Sequence, residues 1–433
     1  MKTKDHKLFE WSAPNAQDVD EKSGYYAAMI FLVWPLLAVV SAFWNHNSKW
    51  GKNILWAFIA FYGFTFAIGA ESQGSDIVGY VAQVERLHTV EMTMTGALEY
   101  YQQSGEIDIL RTVIAVVLSR FTDSQAVLTL VYGIIFGFFF SRNVWFILDR
   151  LKGSIKPISL LLIVCFTLTV PIWNITTFRM WTAAHIFIYG LLPFLFEGRR
   201  SGLWIAAMAI LVHYSFMVPV GVLFAYLFLG NRLMVYFIFF LTTFFISEID
   251  LTAFNNLIEN YAPEVVQERT SAYRSEHKVE THREGGNENR VWYASWYGRA
   301  IKWSVMGFLG LLFLKGRDFF DKNRGWANMM SFALLFYGVA NLFSSLPSGE
   351  RFTAVANMSA LAIIILYVQN REHEVFLKRF IIAATPALLL FVVVSVRKGL
   401  YSMSATALLG NPVIALLTSG ENISLNDVLK MVL

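Results

Sequence analysis

The run from Gly202 to Leu229, GLWIAAMAILVHYSFMVPVGVLFAYLFL, decides how this chain is organised. It stays apolar for about 28 residues, whereas about 20 residues of helix cross the hydrocarbon of a bilayer. A polar triplet, His213-Tyr214-Ser215, interrupts its middle. One reading is a single tilted helix with a solvated His near one end. The other is a break at the triplet, giving two shorter helices that enter and return on the same side. Such breaks are tolerated where the freed backbone lines a watery or protein-filled cavity.

Similar apolar runs lie at 25–44, 53–70, 125–147, 157–175, 176–196, 232–248, 297–316, 326–346, 348–368 and 378–397. Backbone groups in lipid must be paired within their own segment, so these are helices. The composition agrees. Apolar residues make up 56% of the 433 and charged residues only 15%, against about 25% charged in soluble domains. The expected fold is therefore all-α and polytopic, one transmembrane domain over 1–433 with about 11 to 12 spans. A shorter piece, 109–121, reads as a half-span or an interfacial helix. The tail 399–433 reads as amphipathic, with Ser424 and Asp427 as a capping box. The lone Cys165 excludes an intrachain disulfide and Cys-based metal sites. A net charge of +4 spread over loops carries no nucleic-acid signature. No cleavage site follows the first apolar run.

Charge sets the sidedness. Arg142, Arg150, Lys152 and Lys156, then Arg199 and Arg200, then Lys315, Arg317, Lys322 and Arg324 mark cytoplasmic ends. The acidic segment 71–108 and the polar segment 249–296, where acids outnumber Lys and Arg, read as external loops. Both assignments hold together only if 202–229 is broken at His213. On that topology the N-terminus starts outside, although Lys2, Lys4, Lys7 and Lys22 point the other way.

Polar residues in unusual places supply the candidate site. Asp76 follows the second span, either as a solvated cap or as a carboxylate poised at the outer face. Arg179 lies in Thr177-Phe178-Arg179-Met180-Trp181, apolar on both sides, where a cation is costly unless it snorkels or functions. His213 is either a packed residue or a group that exchanges a proton near neutral pH. Arg299 and Arg351 open two later runs on the same external side. Several arginines beside one acid and one His suit a pyrophosphate-bearing lipid, since guanidinium makes bidentate phosphate contacts. His277 and His282 lack metal-site spacing and sit in a loop read as solvated. Asn174-Ile175-Thr176 matches a common sequon and no more. Nucleotide-binding and zinc-protease motifs are absent.

The order Gly74-Ser-Asp76-x3-Tyr80, Thr177-x-Arg179-x4-Ala184, His213-x-Ser215 and Glu350-Arg351 resembles the EpsG-like, Wzy-type polysaccharide polymerases over residues 50–370. One departure is Glu71-Ser72-Gln73, where a basic residue would precede the Gly-x-Asp element. The resemblance implies a multi-span, GT-C-like, metal-independent glycosyltransferase without a cofactor, in the bacterial cytoplasmic membrane with its site facing outward. A glycan on undecaprenyl pyrophosphate would be the donor and the sugar of a second lipid-linked repeat unit the acceptor. A flippase and a chain-length regulator of the same pathway would be partners. His213 and Asp76 become the catalytic candidates. Arg179, Arg299, Arg351, Tyr80 and Ser215 become the pyrophosphate- and sugar-binding ones. A ligase-like glycosyltransferase is the alternative reading. A lipid-linked oligosaccharide flippase would show two related halves, and a membrane O-acyltransferase would turn its His toward a cytosolic donor.

Overall fold

The computed structural model describes residues 16–68, 76–90, 96, 108–245, 260, 291–344, 348–371, 375–418 and 422–432. The segment 261–290, with His277 and His282, and most of the acidic stretch 91–107 lie outside the described residues. Among the described residues the chain is all-α. Five segments among the described residues are long and apolar enough to cross a membrane: Gln125–Leu148, Pro157–Glu197, Arg324–Phe343, Glu350–Asn370 and Val375–Gly399. This is a multi-pass membrane protein.

Helices α1 (Ala16–Val33) and α2 (Pro35–Trp44) correct the sequence reading of 25–44 as one span. Pro35 cannot continue the α1 hydrogen-bond ladder and pushes Trp34 into extended backbone, φ −151° and ψ 93°. The chain turns back there. Trp50 Nε1 donates to Ser23 Oγ at 2.9 Å, and Phe43 packs on Trp145, so both outer ends of the pair meet at the basic end of the molecule. Trp34 Nε1 donates to Leu408 O at the opposite end. Ser23 in α1 therefore lies at the same end as Lys152 and Arg150, and α1 and α2 form a hairpin in place of one span.

The next helix, α3 (Gly51–Phe64), runs away from the basic end, and α4 (Asp76–His88) follows. Asp76 is thus the first residue of a helix. The short α5 (Ile109–Leu118) packs on α4 and leads into α6 (Gln125–Leu148). A methyl group on Gly63 or Gly133 would collide with the facing helix, so α3 and α6 approach as closely as small residues allow. Then α7 (Pro157–Thr169) rises, a short 3₁₀ turn covers Ile172–Thr177, and α8 (Phe178–Glu197) descends. Gly198 at φ +73° ends α8 in the left-handed conformation that glycine accepts without strain.

The decisive run then resolves into α9 (Arg200–Val212) and α10 (Met217–Leu229), with His213 extended between them at φ −151°. Gly190 and Gly202 let α9 lie directly against α8. At the far end Tyr226 Oη donates to Asn328 Oδ1 at 3.1 Å, and Asn328 Nδ2 donates to Leu195 O at 3.2 Å. The foot of α10 is therefore back beside the foot of α8, at the basic end. The broken-helix reading holds.

The remaining helices complete the bundle: α11 (Leu233–Phe245), α12 (Trp292–Lys322), α13 (Arg324–Phe343), α14 (Glu350–Asn370) and α15 (Val375–Gly399). Buried α14 is the central strut, with Ala360–Leu366 all solvent-free. Gln369 and Asn370 at its foot cap the basic loop, their amides donating to Lys152 O, Ser154 O and Arg150 O at 2.8–2.9 Å. The tail forms α16 (Ala405–Leu409), α17 (Pro412–Leu417) and α18 (Leu425–Val432). Ser424 caps α18: Asp427 N donates to Ser424 Oγ at 3.1 Å, and Ser424 Oγ donates to Asp427 Oδ2 at 2.7 Å.

Candidate active site

At the end opposite the basic loops, the start of α8, the break after α9 and the beginnings of α4 and α5 converge. Arg179 is one residue into α8. Its Nε donates to Tyr80 Oη at 2.9 Å, and its Nη1 donates to Asp108 Oδ2 at 2.9 Å. Tyr80 Oη donates in turn to Asp76 Oδ2 at 3.3 Å, one turn back along α4. His213 approaches from the other side, with Nδ1 3.1 Å from Asp108 Oδ2, and the Tyr214 amide donates to Asp108 Oδ1 at 2.9 Å.

Asp108 is the hub. Its side chain is 3% exposed, against 30% for Arg179 and 11% for His213. Burial alone would raise its pKa. The hydrogen bond and charge of His213, the Tyr214 amide and Arg179 outweigh burial and hold the carboxyl below its ordinary value. An ionised carboxylate accepts only, so His213 Nδ1 carries the proton in this pair, and the neutral form of the ring has its lone pair on Nε2. No described residue hydrogen-bonds Nε2. Arg179 likewise spends two of its five N–H groups and keeps Nη2 for something else.

The break positions His213 for a local reason. Extended backbone ends the α9 ladder, while the His213 amide still bonds Ala209 O at 3.0 Å and Phe216 N bonds back to His213 O at 3.0 Å. The backbone groups freed by the break are thus partly repaired. Ser215 Oγ donates to Met180 Sδ at 3.6 Å, beside Arg179. Below the cluster Tyr80 meets Tyr132 edge-on, and Tyr132 stacks on Phe178 at 3.9 Å, fixing the start of α8.

Asp76, Tyr80, Arg179 and His213 thus form one connected cluster with Ser215 at its edge. Arg299 is exposed, 5.8 Å from the Trp296 ring. Arg351 is the second residue of α14, three after Ser348, whose φ of +65° is unusual for a side-chain-bearing residue. Both share the end that holds the cluster, and among the described residues neither bonds to it. Sequence reasoning missed two members. Asp108 was one acid among several in a loop. Arg111, buried in α5, donates to Gln83 Oε1 and stands 4.8 Å from the Tyr80 ring. An Arg within the apolar run 109–121 was the available signal.

The chain matches the family model described as the EpsG family over residues 54–404. No curated protein and no solved structure matches it. The match extends past the motif region to the last long helix, and all members of the cluster fall inside it. This multi-pass membrane protein belongs to the EpsG family, of glycosyltransferase-like polysaccharide polymerases.

Proposed function

We propose that the protein polymerises a surface polysaccharide, transferring a lipid-pyrophosphate-linked glycan onto the sugar of a second lipid-linked repeat unit on the outer side of the membrane. The observation that carries this is the joining of His213 and Arg179 through Asp108. It sets a candidate base beside a candidate phosphate ligand, at the end opposite the basic loops.

In this reading the acceptor hydroxyl gives its proton to His213 Nε2 as its oxygen attacks the anomeric carbon of the donor. The bond from that carbon to the pyrophosphate breaks. The leaving pyrophosphate is already ionised at neutral pH, so it needs charge stabilisation more than protonation. Arg179 supplies it through the N–H groups that Tyr80 and Asp108 leave unused. Asp108 fixes the imidazole tautomer, as a carboxylate does in other His-dependent sites. Asp76 and Tyr80 hold the other flank of Arg179, and Arg351 supplies a second cation once substrate is bound.

Incubating purified protein in proteoliposomes with a synthetic undecaprenyl-pyrophosphate-linked repeat unit tests this. A ladder of lipid-linked oligomers, lost in His213→Ala, is the expected result. Hydrolysis without chain growth, or transport of the intact repeat unit, would replace the polymerase reading.

A further inference from the structure

A second cluster of cations sits at the basic end, about as far from His213 as the bundle allows. The turn between α10 and α11 and the junction of α12 with α13 frame an open cavity of about 470 Å³ lined by Arg232, Arg317, Lys322 and Arg324. One carboxylate, Asp321, faces these four cations, and it pairs with Arg317 at 3.7 Å along the helix. An exposed pair of that kind is weak. The cavity therefore keeps a net positive charge.

The turn that carries Arg232 is fixed. Gly230 adopts φ +70° and ψ −168°, a conformation essentially restricted to glycine. Tyr236 Oη donates to Gly230 O at 2.7 Å, and Asn231 Oδ1 accepts from Ser331 Oγ. Arg232 Nε donates to Leu229 O at 2.9 Å, which leaves its two terminal nitrogens for another partner. The cavity also has an apolar wall. Met234 and Val235 line it, and both are about half exposed. Ile238 and Leu241 continue the same exposed stripe along α11 toward the other end of the bundle.

A cationic mouth at the end of a helix bundle, opening onto an exposed apolar stripe, complements an amphiphile with a phosphate head and a hydrocarbon tail. We propose that this cavity binds the phosphodiester headgroup of an anionic phospholipid, one acyl chain lying along Met234, Val235, Ile238 and Leu241. The inference is independent of the polymerase reading, since it uses no residue of the Asp108 cluster.

Native mass spectrometry of the full-length protein in detergent, titrated with phosphatidylglycerol or phosphatidylcholine, tests it. Phosphatidylglycerol should be retained preferentially. The triple variant Arg232→Ala, Arg317→Ala, Arg324→Ala should lose that preference, roughly fivefold for each charge removed. Asp321→Asn removes the opposing carboxylate and should strengthen retention, which keeps the test open if the triple variant fails to fold. Glycerol phosphate at equal concentration should not displace the lipid, because it lacks the tail. Equal retention of the two lipids, an unaffected triple variant, or full displacement by glycerol phosphate would each overturn the proposal. The last would reassign the cavity to a soluble phosphate.

Discussion

Asp108 Oδ2 accepts from Arg179 Nη1 at 2.9 Å and lies 3.1 Å from His213 Nδ1, so one oxygen joins a cation of α8 to the break after α9. The carboxylate and His213 are buried, while Arg179 is partly exposed. That arrangement gives Asp108 two tasks: it neutralises Arg179, and it holds the His213 ring with Nε2 turned away from the hub.

Asp108→Asn tests the second task. The amide matches the carboxylate in shape, but its NH₂ can donate to Nδ1 and so reverse the tautomer. We expect polymer formation to fall by about 10²–10⁴-fold, the range that positioned acid–base groups contribute. Donor binding through Arg179 should weaken far less. A variant within a few-fold of wild type would remove Asp108 from the mechanism.

Arg179→Lys keeps the charge and loses the fork. Lysine cannot hold Tyr80 Oη and Asp108 Oδ2 at their present separation and also face a phosphate. Polymer yield should drop roughly 10- to 100-fold, as for a lost hydrogen bond to a charged group, with membrane insertion unchanged. Wild-type polymer from this variant would mean that Arg179 only anchors the end of α8.

Much of this was legible in the chain because lipid leaves few options. Apolar length fixed the spans, and the conflict between parity and charge located the break at His213. Pro35 carried equally clear information about the reversal at Trp34, yet it was absorbed into a run of convenient length. Asp108 was harder to see. Its partners are 71 and 105 positions away, and no period or spacing links them. Its one local mark is that it abuts the apolar helix Ile109–Leu118 while the other acids of that stretch do not. Arg299 and Arg351 were grouped with Arg179 from sidedness alone, which fixes an end of the bundle but not a contact.

The Gly190–Gly202 contact makes a packing prediction. A side chain at Gly190 meets the backbone of Gly202 and Ala206, which cannot shift without moving α9 and with it His213. Gly190→Val should destabilise the protein by about 1–3 kcal/mol, read as a lower midpoint of thermal unfolding in detergent. Gly310→Ala, where a methyl group meets nothing within 4 Å, should be neutral or slightly stabilising. Equal behaviour of the two would mean that α8 and α9 are not in close contact.

Combined with the charge rule, the shared ends of the bundle predict sidedness. Lys22, at the foot of α1, should behave like Ser154 in the basic loop, and Asp123, ahead of α6, should behave oppositely. Introduced singly, cysteine at Asp123 should react with an impermeant maleimide added outside intact cells. Cysteine at Lys22 or Ser154 should react only after lysis. Labelling at Lys22 from outside would restore a single span over 25–44 and break the hairpin of α1 and α2.

The final prediction separates the two candidate bases. Asp76 is exposed, opens α4, and its carboxylate touches only Tyr80 Oη among the described residues. His213 is buried to 8% and joined to a carboxylate that fixes its proton on Nδ1. An imidazole so held can accept a proton at Nε2, whereas Asp76 is set to support Tyr80 and through it Arg179. His213→Gln keeps a hydrogen-bonding side chain that cannot exchange a proton in this pH range, so it should abolish chain growth while donor still binds. Asp76→Asn leaves an oxygen to accept from Tyr80 Oη, so it should cost no more than about tenfold, as for one net hydrogen bond. Polymer ladders and donor binding, measured on both variants with a lipid-linked repeat unit, decide the matter. An inactive Asp76→Asn beside an active His213→Gln would move the base to Asp76 and reduce His213 to a ligand of Asp108.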